Sequence, residues 1–330
     1  MLIRRIIPCL DIFDGRVVQG RDVGRLADIG DPVELSQRYF GEGADELVLL
    51  DISKESGDRK PFYDIVRRVA ERIKIPLTVG GGIRTLDDIG RLIASGANKV
   101  SLNTILVEDP LLLARAAPNF GTQALVAAID VVRKPGLLSR AEEKRSRAGG
   151  AGDSGASTGG RSSGRRSGRR FEPRSHAPGS TVPAASDGSG FPRLSDRSSG
   201  GAAERKRRIS RAPDEGWVIH VTSGTEDSEF DAIEWAKTVA DCGAGELLVT
   251  SIDQAGTKEG YDLELLRELA LRVNLPVIAS GGAGNKEHIA EALMDGGADA
   301  VLAAGVFHSR ELSIPDLKQY LRSKGIPVRL

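Results

Sequence analysis

Cysteine is nearly absent: the 330 residues hold only Cys9 and Cys242. No disulfide framework and no C-x-x-C motif can be written from two such distant positions, which fits a reducing compartment. Histidine is almost as scarce, and His176, His220, His288 and His308 show no ligand spacing, so no metal site is expected. No apolar run approaches a membrane span, and the start Met1-Leu-Ile-Arg-Arg-Ile-Ile-Pro8 is too short in its apolar part for a signal peptide. These absences predict a soluble, cytoplasmic protein with no cofactor and no membrane partner.

Net charge is also missing, but only on average. The 46 Lys/Arg balance the 46 Asp/Glu over the whole chain, yet residues 140–211 hold 17 Lys/Arg against 7 Asp/Glu, leaving the remainder acidic. That basic stretch is Ser, Gly, Arg and Pro with hardly an aliphatic residue, as in Arg161-Ser-Ser-Gly-Arg-Arg-Ser-Gly-Arg-Arg170. It cannot bury enough apolar surface to offset ordering entropy, so 136–213 is read as a disordered insert. Phe171 and Phe191 stand alone within it, without the interleaved aromatics that stack bases, so a nucleic-acid partner is not expected. The rest, 1–135 and 214–330, has the size of one (β/α)₈ barrel.

What is present is a repeat. Ala44-Asp-Glu-Leu-Val-Leu-Leu-Asp-Ile52 reappears as Ala244-Gly-Glu-Leu-Leu-Val-Thr-Ser-Ile252, an offset of 200. Gly80-Gly81-Gly82 and Ser280-Gly281-Gly282 share that offset, and each loop follows an apolar run that begins with a proline (Pro76, Pro276). Cys9-Leu-Asp11 pairs with Ala128-Ile-Asp130 at an offset of only 119, which places the insert just after Asp130. The expected architecture is therefore an α/β fold, a (β/α)₈ barrel of two half-barrels, with 1–135 as the first half plus strand five and 214–330 as the remainder. An open doubly wound sheet is the rival; eight units and a half-repeat favour closure.

Short apolar runs alternate with amphipathic segments, the signature of a parallel sheet. The strands are predicted at Arg5–Asp11, Glu46–Asp51, Leu77–Val79, Lys99–Leu102, Ala124–Asp130, Glu246–Ile252, Val277–Ser280 and Ala300–Ala303. Asp31-Pro32 and Asp109-Pro110 each predict an N-cap carboxylate before a first-turn proline. Leu35, Tyr39 and Phe40 give the first helix an apolar face, and a closing helix is expected at Pro315–Lys324.

Barrel chemistry lies at the C-terminal ends of the strands. Asp11, Asp51 and Asp130 are expected to end strands one, two and five, with Asp253 just past strand six. Asp11 and Asp130 lead the candidates, because strands one and five face each other and each acid follows an apolar run that desolvates it. Such a pair can divide acid and base work; a lone strand-end Asp more often only caps its loop. The glycine loops are expected to cradle phosphates. Gly81 and Gly82 with Asn103 and Thr104 form one cradle; Ser280, Gly281 and Gly282 with Ala304 and Gly305 form the other. Arg5, Glu46, Lys99 and Glu246, at the starts of strands one, two, four and six, should form a charged ring at the barrel bottom, where ion pairs ordinarily serve stability.

Arg5-Ile-Ile-Pro-Cys-Leu-Asp11, Asp14-Gly-Arg-Val-Val18, Asp45-Glu-Leu-Val-Leu-Leu-Asp51, Val79-Gly-Gly-Gly-Ile83, Val100-Ser-Leu-Asn-Thr104, Ala279-Ser-Gly-Gly-Ala-Gly284 and Val306-Phe-His308 resemble the cyclase subunits of imidazole glycerol phosphate synthase. The sister isomerase of histidine biosynthesis shares the half-barrel repeat. The resemblance implies a reaction of ammonia with a bisphosphorylated aminoimidazole carboxamide ribonucleotide in its ribulosyl form. The products would be imidazole glycerol phosphate and the carboxamide ribotide. It implies Asp11 and Asp130 as the acid–base pair, and a glutaminase subunit docked at the barrel bottom. Ammonia would then pass a gate of Arg5, Glu46, Lys99 and Glu246. Four positions depart from the family: Gln19 for lysine, Ala255 for aspartate, Gly305 for serine and Asn98 for an acid. They suggest weaker substrate binding or partner docking, and a catalytically weakened sugar-phosphate-binding subunit as a third reading.

Overall fold

Strands buried on both faces leave no tolerable edge, and here they close on themselves. The computed structural model describes residues 3–20, 26–53, 60–134, 216–221 and 226–330; the basic insert lies outside them. Among the described residues the strands are β1 (Arg5–Phe13), β2 (Arg16–Gln19), β3 (Ala27–Gly30), β4 (Leu47–Asp51), β5 (Leu77–Gly80), β6 (Lys99–Leu102), β7 (Leu125–Lys134), β8 (Gly216–Val221), β9 (Glu226–Asp231), β10 (Glu246–Ser251), β11 (Val277–Ser280) and β12 (Ala300–Ala303). The staves run in the order β1-β4-β5-β6-β7-β10-β11-β12, and β12 pairs back onto β1 from Arg5↔Ala300 to Pro8↔Ala303. All eight of these pairings are parallel. The eight staves match the eight predicted runs, and the ring is the (β/α)₈ barrel.

Helices α1 (Pro32–Gly41), α2 (Lys60–Ala70), α3 (Leu86–Ala94), α4 (Thr104–Glu108), α5 (Leu111–Phe120), α6 (Ala232–Asp241), α7 (Leu263–Arg272), α8 (Lys286–Met294), α9 (Gly305–His308) and α10 (Ile314–Ser323) follow the staves. Matched caps express the repeat. Asp31 accepts from Val33 N and Glu34 N, and Asp231 from Ile233 N and Glu234 N. Thr85 accepts from Asp88 N, and Asn285 from His288 N. Asp109 departs from its expected role. Its carboxylate is taken by Arg115, and α5 starts without a side-chain cap.

The pleat sorts side chains between two cores. Tyr39, Leu10, Leu49 and Trp235 pack between staves and helices. Ile7, Cys9, Val48, Ile278, Ala300 and Leu302 form a separate cluster, with Leu50, Leu248 and Ala304 against it. Successive residues of a strand face opposite sides, so Arg5, Ile7, Cys9 and Asp11 form one line along the inside of β1, from bottom to mouth.

Two hairpins extend the barrel and were not expected from the apolar pattern. β1 continues past Asp11 to pair antiparallel with β2, through a turn with Asp14 at φ 47° and Gly15 at φ 79°. β7 likewise continues past Asp130 to pair with β8. Asp11 and Asp130 thus lie within their strands, because a neighbouring hairpin strand keeps the ladder going beyond them.

A buried ion pair ties the last helix to the first half. Lys318, 3% exposed, donates to Asp45 Oδ1 at 2.8 Å and to Gly43 O at 2.6 Å, while Asp45 Oδ2 accepts from Ile6 N at 2.9 Å. Among the described residues, removing Lys318 leaves the Asp45 carboxylate with only the exposed Arg329, 3.4 Å from Oδ1, as a cation partner. Lys318→Met is expected to lower the unfolding free energy by about 3 kcal/mol, measured by urea denaturation; an unchanged midpoint would show that the pair contributes nothing.

Candidate active site

β1 and β7 stand four staves apart in the ring of eight, so Asp11 and Asp130 meet the mouth from opposite sides. Their environments differ. Asp11 has Cys9 Sγ at 3.6 Å from Oδ1. Asp130 Oδ2 accepts from Asn103 Nδ2 at 2.9 Å, and Thr250 and His220 lie close enough to favour its ionised form. Burial raises both carboxyls above their ordinary range; the Cys9 contact opposes this at Asp11, and Asn103, His220 and Thr250 oppose it at Asp130. Burial also pushes the Cys9 thiol well up, so it is a neutral neighbour of Asp11.

The two glycine loops occupy equivalent places at the ends of β5 and β11. Gly81 has φ 96° and Gly281 φ 94°. A Cβ at Gly81 would fall 2.0 Å from Asp51 O, and one at Gly281 would fall 2.5 Å from Ser251 O. Backbone approaches backbone at both turns, and no other residue type fits there. Beside each loop a very short helix begins. α4 starts at Thr104 behind Asn103, and α9 starts at Gly305 behind Ala304. Asn103 does not cap α4 with its side chain, because that amide is committed to Asp130. Thr104, Ser280 and Gly282 lie at the same stave ends, and Gly82 completes the first loop at φ 59°.

At the other end of the barrel the four expected charges come together with alternating sign. Arg5 Nη1 lies 2.9 Å from both Glu46 Oε2 and Glu246 Oε1. Lys99 Nζ lies 2.9 Å from Glu46 Oε2 and 3.0 Å from Glu246 Oε2. Thr78 Oγ1 adds a 2.6 Å bond to Glu46, whose side chain is 1% exposed. Each acid touches both bases, so the ring is closed and electrically balanced.

Other candidates have structural work. Asp51 Oδ1 accepts from Ser53 N at 3.1 Å, and Asp253 Oδ2 from Arg133 N at 2.8 Å; both hold loops. Asn98 Oδ1 accepts from Leu77 N at 2.9 Å, as Asp299 Oδ2 does from Val277 N at 3.1 Å, so the amide retains the acceptor that fixes a strand start. Ala255 lies in the loop after β10, its N–H donating to Ser251 O at 2.9 Å. Gln19 and Gly305, two of the departures, are neighbours: a Cβ at Gly305 would stand 3.1 Å from Gln19 Nε2. Sequence reasoning did not single out Thr250 and His220 as partners of Asp130. The alternation of strand six, read inward from Glu246, would have found Thr250; His220 arrives on β8, where the apolar run Trp217-Val-Ile219 was the available signal. Among the described residues no group of three His, Cys, Asp or Glu side chains is placed to hold a metal, and no helix is long and apolar enough to cross a membrane.

The sequence carries this arrangement into known company. A family model described as histidine biosynthesis protein matches residues 5–156 and 203–313. Imidazole glycerol phosphate synthase subunit HisF of Methanocaldococcus jannaschii is 41% identical over 330 residues, covering 100% of both chains. The chain belongs to the histidine biosynthesis protein family.

Proposed function

We propose that this barrel is the cyclase subunit of an imidazole glycerol phosphate synthase. The observation that carries the reading is the pair of half-buried aspartates on opposed staves, flanked by two glycine turns, in a chain 41% identical along its whole length to a subunit of that enzyme. The catalytic unit is the barrel formed by 1–135 and 214–330. The Gly81–Gly82 turn with Asn103 and Thr104 receives one phosphate of the ribulosyl bisphosphate substrate. Ser280, Gly281, Gly282, Ala304 and Gly305 receive the other.

Between the turns the substrate's reacting carbons lie over Asp11 and Asp130. Asp130, with more groups favouring its charged form, is the proton acceptor. Asp11, with Cys9 as its hydrogen-bond partner, is the donor. Asp11 delivers a proton to the carbonyl oxygen as ammonia adds and water leaves. Asp130 withdraws a proton from the attacking nitrogen as the imidazole closes and returns it to the departing amine of the carboxamide ribotide as the carbon–nitrogen bond breaks. Asn103 holds the Asp130 carboxylate in one orientation.

Ammonia comes from a glutaminase subunit, which we place at the barrel bottom. Ile3, Leu271, Met294 and Leu330 are exposed there, before β1, at the ends of α7 and α8, and beyond Arg329, which bonds Ala44 O. Apolar residues exposed at that end support a protein partner there. The apolar lining of Val48, Leu50, Leu248 and Ile278 lies between that face and the mouth. The Arg5/Glu46/Lys99/Glu246 ring acts as the gate, and Lys99, with a long flexible stem, is the member best able to swing aside.

Incubation with the ribulosyl bisphosphate and an ammonium salt at mildly alkaline pH is expected to release the carboxamide ribotide. Asp11→Asn and Asp130→Asn should each slow this by at least about a hundredfold. A variant at wild-type rate overturns its role, and consumption of the ribosyl isomer without ammonia would identify the sister isomerase instead.

The gate has a separate readout. With a glutaminase subunit of the family added, the wild type should turn over on glutamine. Lys99→Ala should keep its ammonium-supported rate while less glutamine-derived nitrogen reaches product. Identical nitrogen transfer in both proteins would remove Lys99 from the gate.

Burial of Asp11 also has a stability consequence. Its folded pKa lies above the unfolded value, so the native state binds the proton more tightly and stability falls as pH rises between the two. Asp11→Asn removes a desolvated charge and should raise the melting temperature at pH 8. That gain should shrink as pH falls toward the ordinary carboxylate range. Equal melting curves for the two proteins at pH 8 would show that the charge carries no penalty.

A further inference from the structure

Behind the β12 side of the mouth lies a buried polar cluster that the proposed chemistry does not use. Tyr39 of α1 is 0% exposed, His308 of α9 is 9% exposed, and Tyr39 Oη stands 2.6 Å from His308 Nδ1. Arg38 sits over the Tyr39 ring at 4.4 Å and donates from Nη2 to Phe307 O at 3.3 Å. His308 Nε2 has no well-formed hydrogen bond among the described residues. The residues just before and at the start of α9, Ala304 and Gly305, belong to the proposed second cradle.

α9 is a single turn. Its own backbone bonds are Phe307 N and His308 N to Ala304 O, both 3.0 Å, and Ser309 N to Gly305 O at 2.9 Å. So short a helix does not hold itself together in water, and tertiary anchors set its position. Val306 and Phe307, both 2% exposed, supply apolar anchorage without fixing the rotation of the turn. A directional bond does fix it. Burial, with Arg38 adding repulsion, holds His308 down to about 4, although the Cys9 backbone pulls upward. Burial lifts Tyr39 to about 12. At neutral pH the pair is therefore a phenol and an uncharged imidazole, one able to donate and the other to accept.

We infer that Tyr39 and His308 are positioning residues, whose hydrogen bond holds α9, and with it the Ala304–Gly305 turn, in the geometry that receives the second phosphate. Phenylalanine at position 39 would fill the same space, so packing alone does not require the hydroxyl. The inference rests on the cyclase reading and extends it to a pair that never touches substrate.

The test is calorimetric binding of the ribulosyl bisphosphate in ammonium-free buffer, with ammonium-dependent kcat measured separately. Tyr39→Phe should weaken binding about tenfold, because a buried acceptor loses its donor, and leave kcat within about twofold. His308→Asn places its amide where Nδ1 stood and should bind like wild type. His308→Gln, with its amide at the Nε2 position, should bind as weakly as Tyr39→Phe. Equal affinity in wild type and Tyr39→Phe, or a loss of kcat with affinity intact, overturns the inference and leaves the cyclase reading standing. If Tyr39→Phe does not fold, equal affinity in the two His308 variants overturns it. Failure of the wild type to bind the bisphosphate overturns the cyclase reading and this inference together.

Discussion

A parallel stave closed into a ring points every second side chain at one axis. Arg5, Ile7, Cys9 and Asp11 therefore carry β1 from a charged bottom, through an apolar interior, to an acid at the mouth. Glu46, Val48 and Leu50 repeat the first part of that series on β4, and Glu246, Leu248 and Thr250 repeat it on β10. A register slip of one residue would send each series into the helix layer. The closing register of β12 on β1, from Arg5↔Ala300, thus holds ring, interior and mouth in line at once.

Duplication explains the frame of the mouth, and its breaking explains the chemistry. Gly81 and Gly281 press against carbonyls at positions 51 and 251, and the helices beyond them start at equivalent caps. That frame is suited to two like groups on one ligand. The side chains between the frames are unlike. Asp130 has an amide donor from Asn103, whereas the matching position beside α9 is Ala304, which has none to offer Asp11. Two carboxyls in equal surroundings would compete for one role; on the cyclase reading, unequal surroundings separate them into donor and acceptor.

The staves were legible because each is a short apolar run, and six of the eight agree with the observed boundaries to within one residue. Lys99–Leu102, Val277–Ser280 and Ala300–Ala303 agree at both ends. The hairpin β1–β2 escaped because β2 is short and mixed in polarity; β8, whose run Trp217-Val-Ile219 is apolar, follows the basic insert and pairs antiparallel with β7 instead of forming a stave. Asp109 shows the same limit in a cap: the Asp-Pro pair signals a helix start, but Arg115 competes for the carboxylate, and no local pattern reveals that contest. By its pattern Asn103 belongs to a phosphate loop; its amide turns to Asp130, 27 positions away, a contact that depends on β6 lying beside β7. Tyr39 was legible only as part of an apolar face. Its bond to His308 spans 269 positions and becomes visible only when α1 and α9 meet across the closed ring.

On the cyclase reading, one property of the interior serves two ends of the reaction. The apolar lining around Cys9, Leu50, Leu248 and Leu302 withholds water from anything inside the staves. Desolvation disfavours whichever form of a group is charged. At the mouth it lifts the carboxyls of Asp11 and Asp130 above their ordinary range, easing proton exchange with a bound substrate. Along the axis the same desolvation favours ammonia over ammonium, so the nitrogen arrives with its lone pair free. A polar interior would help neither. The charges that face the axis are accordingly kept at its two ends, paired in the ring below and held by Cys9 and Asn103 above.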